Sequence, residues 1–218
     1  MKTTNAMKLT KFPRPGPLAR WASLCVVGLV AGCNVIPPPQ DDPTRYYVLS
    51  DAAPAAAQAQ GGARIGIRTV RLEGYLKRRE MVVRTGANEV AFRDYKRWAE
   101  PLDAAVARVV RSALLASPAV SQAWIEPFQA DQDRDFDVSM EITRCEGAVG
   151  PAGRYVASLS AVVEISTTGA SPRVVARTVF TAPDEAWDGA DFDRLAGLLS
   201  GDVAALGREI AAEIPAKN

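Results

Sequence analysis

The chain has 218 residues, 48% hydrophobic and 23% charged, with 26 Lys and Arg against 25 Asp and Glu. This suits one domain of ordinary size plus an extension, and excludes disordered, collagen-like and disulfide-dense chains. There is no histidine, which removes His-based triads, His metal sites and imidazole pH switching.

Residues 1–32 carry Lys2, Lys8, Lys11, Arg14 and Arg20 and no acid. The remainder is therefore acidic by about four charges, and no nucleic-acid partner is expected, because phosphate neutralisation needs clustered cations. After Arg20 comes an apolar run, Trp21 to Ala31, then Gly32 and Cys33. At about 11 residues it falls short of the ~20 that span a bilayer, and the order basic, apolar, small is that of an export signal. Leu29-Val30-Ala31-Gly32-Cys33 resembles a bacterial lipobox, which implies a signal over 1–32 and Cys33 as the lipidated first residue. The alternative is a plain secretory signal cut near Ala31 or Gly32, with Cys33 incidental. Attached acyl chains would tether the protein without a spanning helix, each buried CH₂ contributing about 0.8 kcal/mol. Asn34 after the Cys, by resemblance to enterobacterial sorting rules, favours the outer membrane.

Residues 33–43 hold Pro37, Pro38, Pro39 and Pro43 and read as a stiff spacer before a domain over 44–218. Tyr46–Leu49 is a short β-prone run, and 52–62 reads as an Ala/Gln loop. Residues 64–73 place Ile65, Ile67 and Val70 or Leu72 on apolar faces, with a register break near Thr69. Met81–Arg84, a turn over 85–88 and Glu89–Phe92 predict a hairpin. Pro101 opens a helix whose Leu102, Val106, Val109, Val110 and Ala113 recur at helical spacing until about Ala116. Alternation predicts strands at 136–143 and 155–166, joined by a glycine-rich connection at 147–153, and the turn at Gly169–Pro172 leads into a third at 173–181. A last amphipathic helix begins near Asp191 and ends before Pro215. The expected fold is α+β: an antiparallel or mixed sheet with two main helices on one face.

Four aspartates, Asp131, Asp133, Asp135 and Asp137, resemble a calcium loop, but Phe136 and Ile142 stand where Gly and a bidentate Glu are required. They read as a solvated acidic approach to a strand. Gly147–Gly153 lacks the Lys-Ser/Thr ending and helix start of a phosphate loop. Cys25 leaves with the signal, and Cys145 reads as a structural thiol with no base to activate it. No catalytic constellation, metal site or cofactor is expected. Lys77-Arg78-Arg79 and Arg93–Trp98 are basic clusters; Arg78, Arg79, Lys96 and Arg97 are the candidate contacts with an acidic partner or headgroups, or else solvated strand ends.

Tyr46–Leu49, Ile65–Leu72 with Tyr75-Leu76, Arg78–Arg84, Asn88-Glu89 and Arg97-Trp98-Ala99-Glu100-Pro101-Leu102, behind a lipobox, resemble the PqiC-type ABC transport auxiliary lipoproteins over about residues 44–214. Trp98–Pro101 is the most specific piece. The Ala/Gln loop at 52–60 and the triplet at 77–79 depart from the pattern. The resemblance implies a non-catalytic component of an MCE-type lipid transport system, docking the periplasmic channel at the outer membrane. Its partners would be an MCE-domain protein and an inner-membrane permease or integral protein, and a homo-oligomer fits a subunit that meets a channel. The rival reading is a free-standing structural envelope lipoprotein. Trp98 is expected to pack into the core, and Glu100 suits the positive end of a helix dipole.

Overall fold

The computed structural model describes residues 41–51, 61–150 and 153–215. The expected signal, Cys33, most of the spacer and the 52–60 loop lie outside the described residues. The chain divides into Met1–Asp42 and Pro43–Asn218, and all described elements belong to the second unit. In chain order they are β1 (Arg45–Tyr47), β2 (Ala63–Ile67), β3 (Arg71–Leu72), a 3-10 turn (Gly74–Lys77), β4 (Glu80–Gly86), β5 (Glu89–Trp98), α1 (Leu102–Leu115), β6 (Val120–Ile125), β7 (Phe136–Val149), β8 (Tyr155–Thr167), β9 (Val174–Thr181), β10 (Glu185–Ala186) and α2 (Phe192–Glu213).

Strand β7 organises a single ten-stranded mixed sheet. On one side it pairs antiparallel with β8, and β8 with β9, in the registers Met140 opposite Val163 and Ile165 opposite Ala176. These are the three antiparallel strands expected from the sequence. On the other side, residues 63–86 run parallel to β7 as an interrupted strand: β2 beside Phe136–Val138, β3 beside Glu141 and Ile142, β4 beside Gly147 and Ala148. The expected break near Thr69 separates β2 from β3. Beyond them β6 adds parallel to β2, β5 antiparallel to β4, and β1 parallel to β5. The hairpin holds Val83 opposite Ala91, as its turn residues predicted.

Both helices cover one face, α1 against β6 and α2, α2 against β8 and β7. Val138, Met140 and Ile142 of β7 and Leu159, Ala161 and Ile165 of β8 are buried beneath Leu195, Leu199, Leu206 and Ile210 of α2. Each such aliphatic side chain contributes about 1.5–3 kcal/mol by leaving water. Gly207 lets the helices approach: a Cβ there would lie 2.5 Å from Ala113 Cβ. Asp191 caps α2, its Oδ1 accepting from the backbone N–H of Asp193 (3.0 Å) and Arg194 (3.1 Å), the usual satisfaction of free first-turn donors.

Four sequence expectations need correction. The 147–153 connection is shorter than expected, because β7 continues through Gly147 to Val149; Gly147 is a strand glycine, where a Cβ would meet the Trp187 ring at 2.7 Å. The returning strand does not stop at Phe92 but runs to Trp98, so the second basic cluster lies within β5. Asp135 and Asp137 are not solvated: Asp135 binds the Arg64 guanidinium and backbone N–H, while buried Asp137 accepts from Arg68 at 2.6 Å and Arg134 at 2.9 Å. Strand β6 was not expected at all.

Candidate partner-facing surface

The sheet face away from the helices carries the polar residues of the alternation, and a bulge in β7 adds Glu146 to them. Between Ile142 and Arg144 the register with β8 shifts by one residue. Cys145 and Gly147 then continue the apolar face, and Glu146 turns to the opposite one. Burial raises the Cys145 thiol pKa, with the charges of Glu146 and Asp202 adding to it, so the thiol is inert, as the sequence suggested.

Glu146 is 1% exposed, and its carboxylate is met by β4. Arg84 Nε donates to Glu146 Oε1 at 2.6 Å, and Arg84 Nη2 donates to the Tyr75 hydroxyl at 3.1 Å. That hydroxyl donates to the Thr143 carbonyl at 3.1 Å. Burial first, then the Glu146 charge, pushes the Tyr75 pKa up to about 12. Removing either partner of a buried ion pair of this kind would leave an uncompensated buried charge. Here the pair locks the 3-10 turn, β4 and the end of β7 together. Along the same face Arg68 pairs with Glu126, Arg71 with Glu141 and Arg177 with Glu164, so its charges are largely matched within the chain.

The basic clusters come together in part. Strand register sets Glu80 opposite Arg97, and the Glu80 carboxylate receives Arg78 Nε at 3.2 Å and Arg97 Nη2 at 3.8 Å. Hydrogen bonding to its own backbone, helped by these two cations and opposed by burial, leaves Glu80 with a lowered pKa. The Trp98 N–H donates to the Arg79 carbonyl at 2.8 Å, which joins the 77–79 triplet to the end of β5. Arg78 also lies 4.4 Å from the Phe92 ring centroid. Arg78 and Arg79 line a cleft of about 590 Å³ with Lys77, Glu100, Leu102 and Asp103. Lys96 is separate: it lines a second cleft of about 970 Å³ with Arg45, Tyr46, Val48, Asp191 and Asp193. The four cations therefore belong to two neighbouring surfaces.

The Trp98–Pro101 stretch fastens the start of the domain. Trp98 is buried, and the Ala99 N–H donates to the Tyr47 carbonyl at 2.8 Å. Glu100 does more than face a helix dipole: its Oε1 accepts from Arg108 Nη2 at 2.6 Å. Arg108 also donates to the Leu49 carbonyl (2.8 Å) and pairs with Asp51. From α2, the Ser200 hydroxyl accepts from the Ser50 N–H at 2.9 Å. Leu49–Asp51 is thus clamped between the two helices. Sequence reasoning missed Arg108 and Ser200, which look like any other polar residues of two amphipathic helices.

Among the described residues no group of His, Cys, Asp and Glu is placed to hold a metal ion, and no helix is long and apolar enough to cross a membrane. An apolar slot between β8, β9 and the end of α2, lined by Val163, Ile165, Phe180, Leu206 and Ile210, leaves about 10 Å³ of open volume, room for no more than about one water. Among the described residues, fold and surface together define an α+β module with charged clefts on its exterior.

Residues 47–211 match the family model of the ABC-type transport auxiliary lipoprotein component, and the chain belongs to that family. Membership makes it an auxiliary lipoprotein of an ABC-type transport system, and so a component of the cell envelope. Two crystal structures share the fold. A protein of Xanthomonas campestris, assigned to domain-of-unknown-function family 330, is 15% identical with a TM-score of 0.65, over 77% of this chain and 93% of its own. A second, described as an uncharacterized protein, is 19% identical with a TM-score of 0.59, over 79% of this chain and 99% of its own. No curated protein matches the sequence.

Proposed function

We propose that this chain is the non-catalytic lipoprotein subunit of an MCE/ABC-type envelope lipid transport system. In this reading residues 1–32 are removed and Cys33 carries the acyl chains. Asn34 sends the protein to the outer membrane, and residues 33–43 space the domain at 44–218 from it. The domain docks or assembles the periplasmic channel formed by an MCE-domain protein, which works with an inner-membrane permease or integral protein. The family match over 47–211, behind a lipobox, is the observation that carries the reading.

The charge around the two large clefts supports a docking role. Small-molecule sites usually enclose about 300–1,000 Å³ lined mainly by apolar groups, whereas the two large clefts are rimmed by Arg78, Arg79, Lys96, Glu100, Asp103 and Asp191. Such a mixed-charge rim suits a protein surface of complementary potential.

Mild crosslinking of the protein in cells that also express the MCE-domain protein tests the reading. Co-purification of that protein is expected, with the yield reduced several-fold by Arg79→Glu combined with Lys96→Glu. Recovery of the lipoprotein alone would favour a free-standing structural role.

A further inference from the structure

We propose that two copies of this chain pair through strand β9, antiparallel about a two-fold axis at Val179, so that one continuous sheet runs through both. The inference goes beyond the transport reading and holds whether or not Cys33 is acylated.

β9 is an edge strand of eight residues that pairs with β8 alone. An uncovered row of backbone donors and acceptors is a template for another strand. Chains defend such edges with short strands, charges and covering side chains, and the other edges of this sheet are defended in those ways. β1 and β10 have three and two residues. On β6 the Ala123 carbonyl is taken by Arg111 Nε at 2.8 Å. β5, open before its pairing with β1, carries Glu89, Arg93 and Asp94 there. β9 has a single charge, Arg177, which Glu164 neutralises, and it holds Val174, Val175 and Val179 in solvent. Val179, at 72%, is the most exposed large hydrophobic side chain among the described residues.

The ladder fixes which groups β9 offers. The Ala182 N–H donates to the Leu159 carbonyl at 3.0 Å, and backbone direction alternates along an antiparallel strand. Thr178 and Phe180 therefore turn their backbone groups to β8, and Arg177, Val179 and Thr181 turn theirs off the edge. The side chains of these three stand on the face away from the helices, opposite Glu164, Val162 and Ser160. In one register the strand complements its own reverse. With Val179 opposite its copy, Arg177 meets Thr181 on either side, and each pair exchanges two backbone hydrogen bonds. The exposed valines then cover each other. The two Arg177 residues stay about 13 Å apart along the strands, each on the Glu164 of its own chain at 2.5 Å. An axis at Arg177 would set like charges directly opposite, which is destabilising. An axis at Thr178 would draw Val175 into the ladder, where the β8–β9 register already shifts. A patch that matches itself under rotation is what an isologous dimer requires, and it selects a second copy over an extended segment of another protein.

Sedimentation equilibrium of the purified mature protein, in a detergent matched to the solvent density, is expected to give twice the mass of one chain. Val179→Arg, at a position largely in solvent, is expected to give the mass of one. Cysteines read the register. Val179→Cys sets two thiols on Cα atoms about 5.5 Å apart, within disulfide reach, whereas Val175→Cys holds them about 26 Å apart along the strands. Under mild oxidation at least half of the Val179→Cys chains are expected to link in pairs, above the parent's yield, and fewer than a tenth of the Val175→Cys chains. A parent at one chain's mass, a Val179→Arg variant that sediments like its parent, or equal linking at the two positions overturns the inference.

Discussion

Replacing Arg84 with methionine is expected to lower the unfolding free energy by roughly 3–5 kcal/mol, because it strands the Glu146 carboxylate in a site it cannot leave. Glu146 Oε1 takes its 2.6 Å bond from Arg84, its Oε2 is already buried without a hydrogen-bond partner, and the side chain is shut off from water. The methionine keeps most of the stem's volume and contributes no charge. The cost is therefore that of an unpaired buried anion and not of lost packing. Combining Arg84→Met with Glu146→Gln should recover most of the loss, since the charge that made the site costly is then gone. Urea denaturation of the parent chain and the two variants checks this. A single variant within about 1 kcal/mol of the parent chain would mean that water reaches Glu146 and the pair is a surface feature.

Asp202→Asn is expected to stabilise the domain, and only at neutral or alkaline pH. Asp202 sits on α2 at 3% exposure, with Oδ2 buried and without a hydrogen-bond partner. Burial, reinforced by the charge of Glu185, pushes its pKa up to about 6 from an ordinary 3.8. Below pH 4 the carboxyl is protonated in both folded and unfolded chains and changes nothing. Between about pH 4 and 6 the unfolded chain ionises first, so the fold loses stability as pH rises, and above that range the penalty is constant. The asparagine variant removes it, gaining roughly 2 kcal/mol at pH 8 and little at pH 4. Thermal unfolding at the two pH values reads the difference. A gain of equal size at both would assign the effect to packing, and a loss at pH 8 would contradict the burial argument.

Much of this fold was legible because its elements announce themselves locally. Alternation over 136–142 and 157–165, the turn at 85–88, Pro101 before an apolar helical stripe and Pro215 after another each reflect geometry within a few residues. Pairing partners were not legible. That residues 63–86 lie parallel to β7, or that β1 joins β5, depends on contacts distant in sequence. Strand β6 escaped because its buried residues, Val120 and Ala123, are three apart, a spacing that does not mark a strand.

The candidate surface was legible as two basic clusters but not as geometry. The register that sets Glu80 opposite Arg97 draws Arg78 and Arg97 onto one carboxylate, and the same fold sends Lys96 to another cleft. Glu146 was invisible as a buried anion because ordinary alternation would have put it on the side of Ile142; the one-residue bulge reverses that. Asp137 misled for a related reason. A run of alternating aspartates reads as solvated, and the arginines that bury one of them come from residue 68 on a distant segment as well as from neighbouring residue 134.

The lipid anchor and the role of the spacer both depend on the chemistry of one sulfur. Mass spectrometry of the N-terminal peptide of the exported protein is the direct measurement. The expected peptide begins at Cys33, with a diacylglyceryl group on its sulfur and an acyl chain on its amine. A peptide that begins at Cys33 or nearby with a free thiol would contradict the reading.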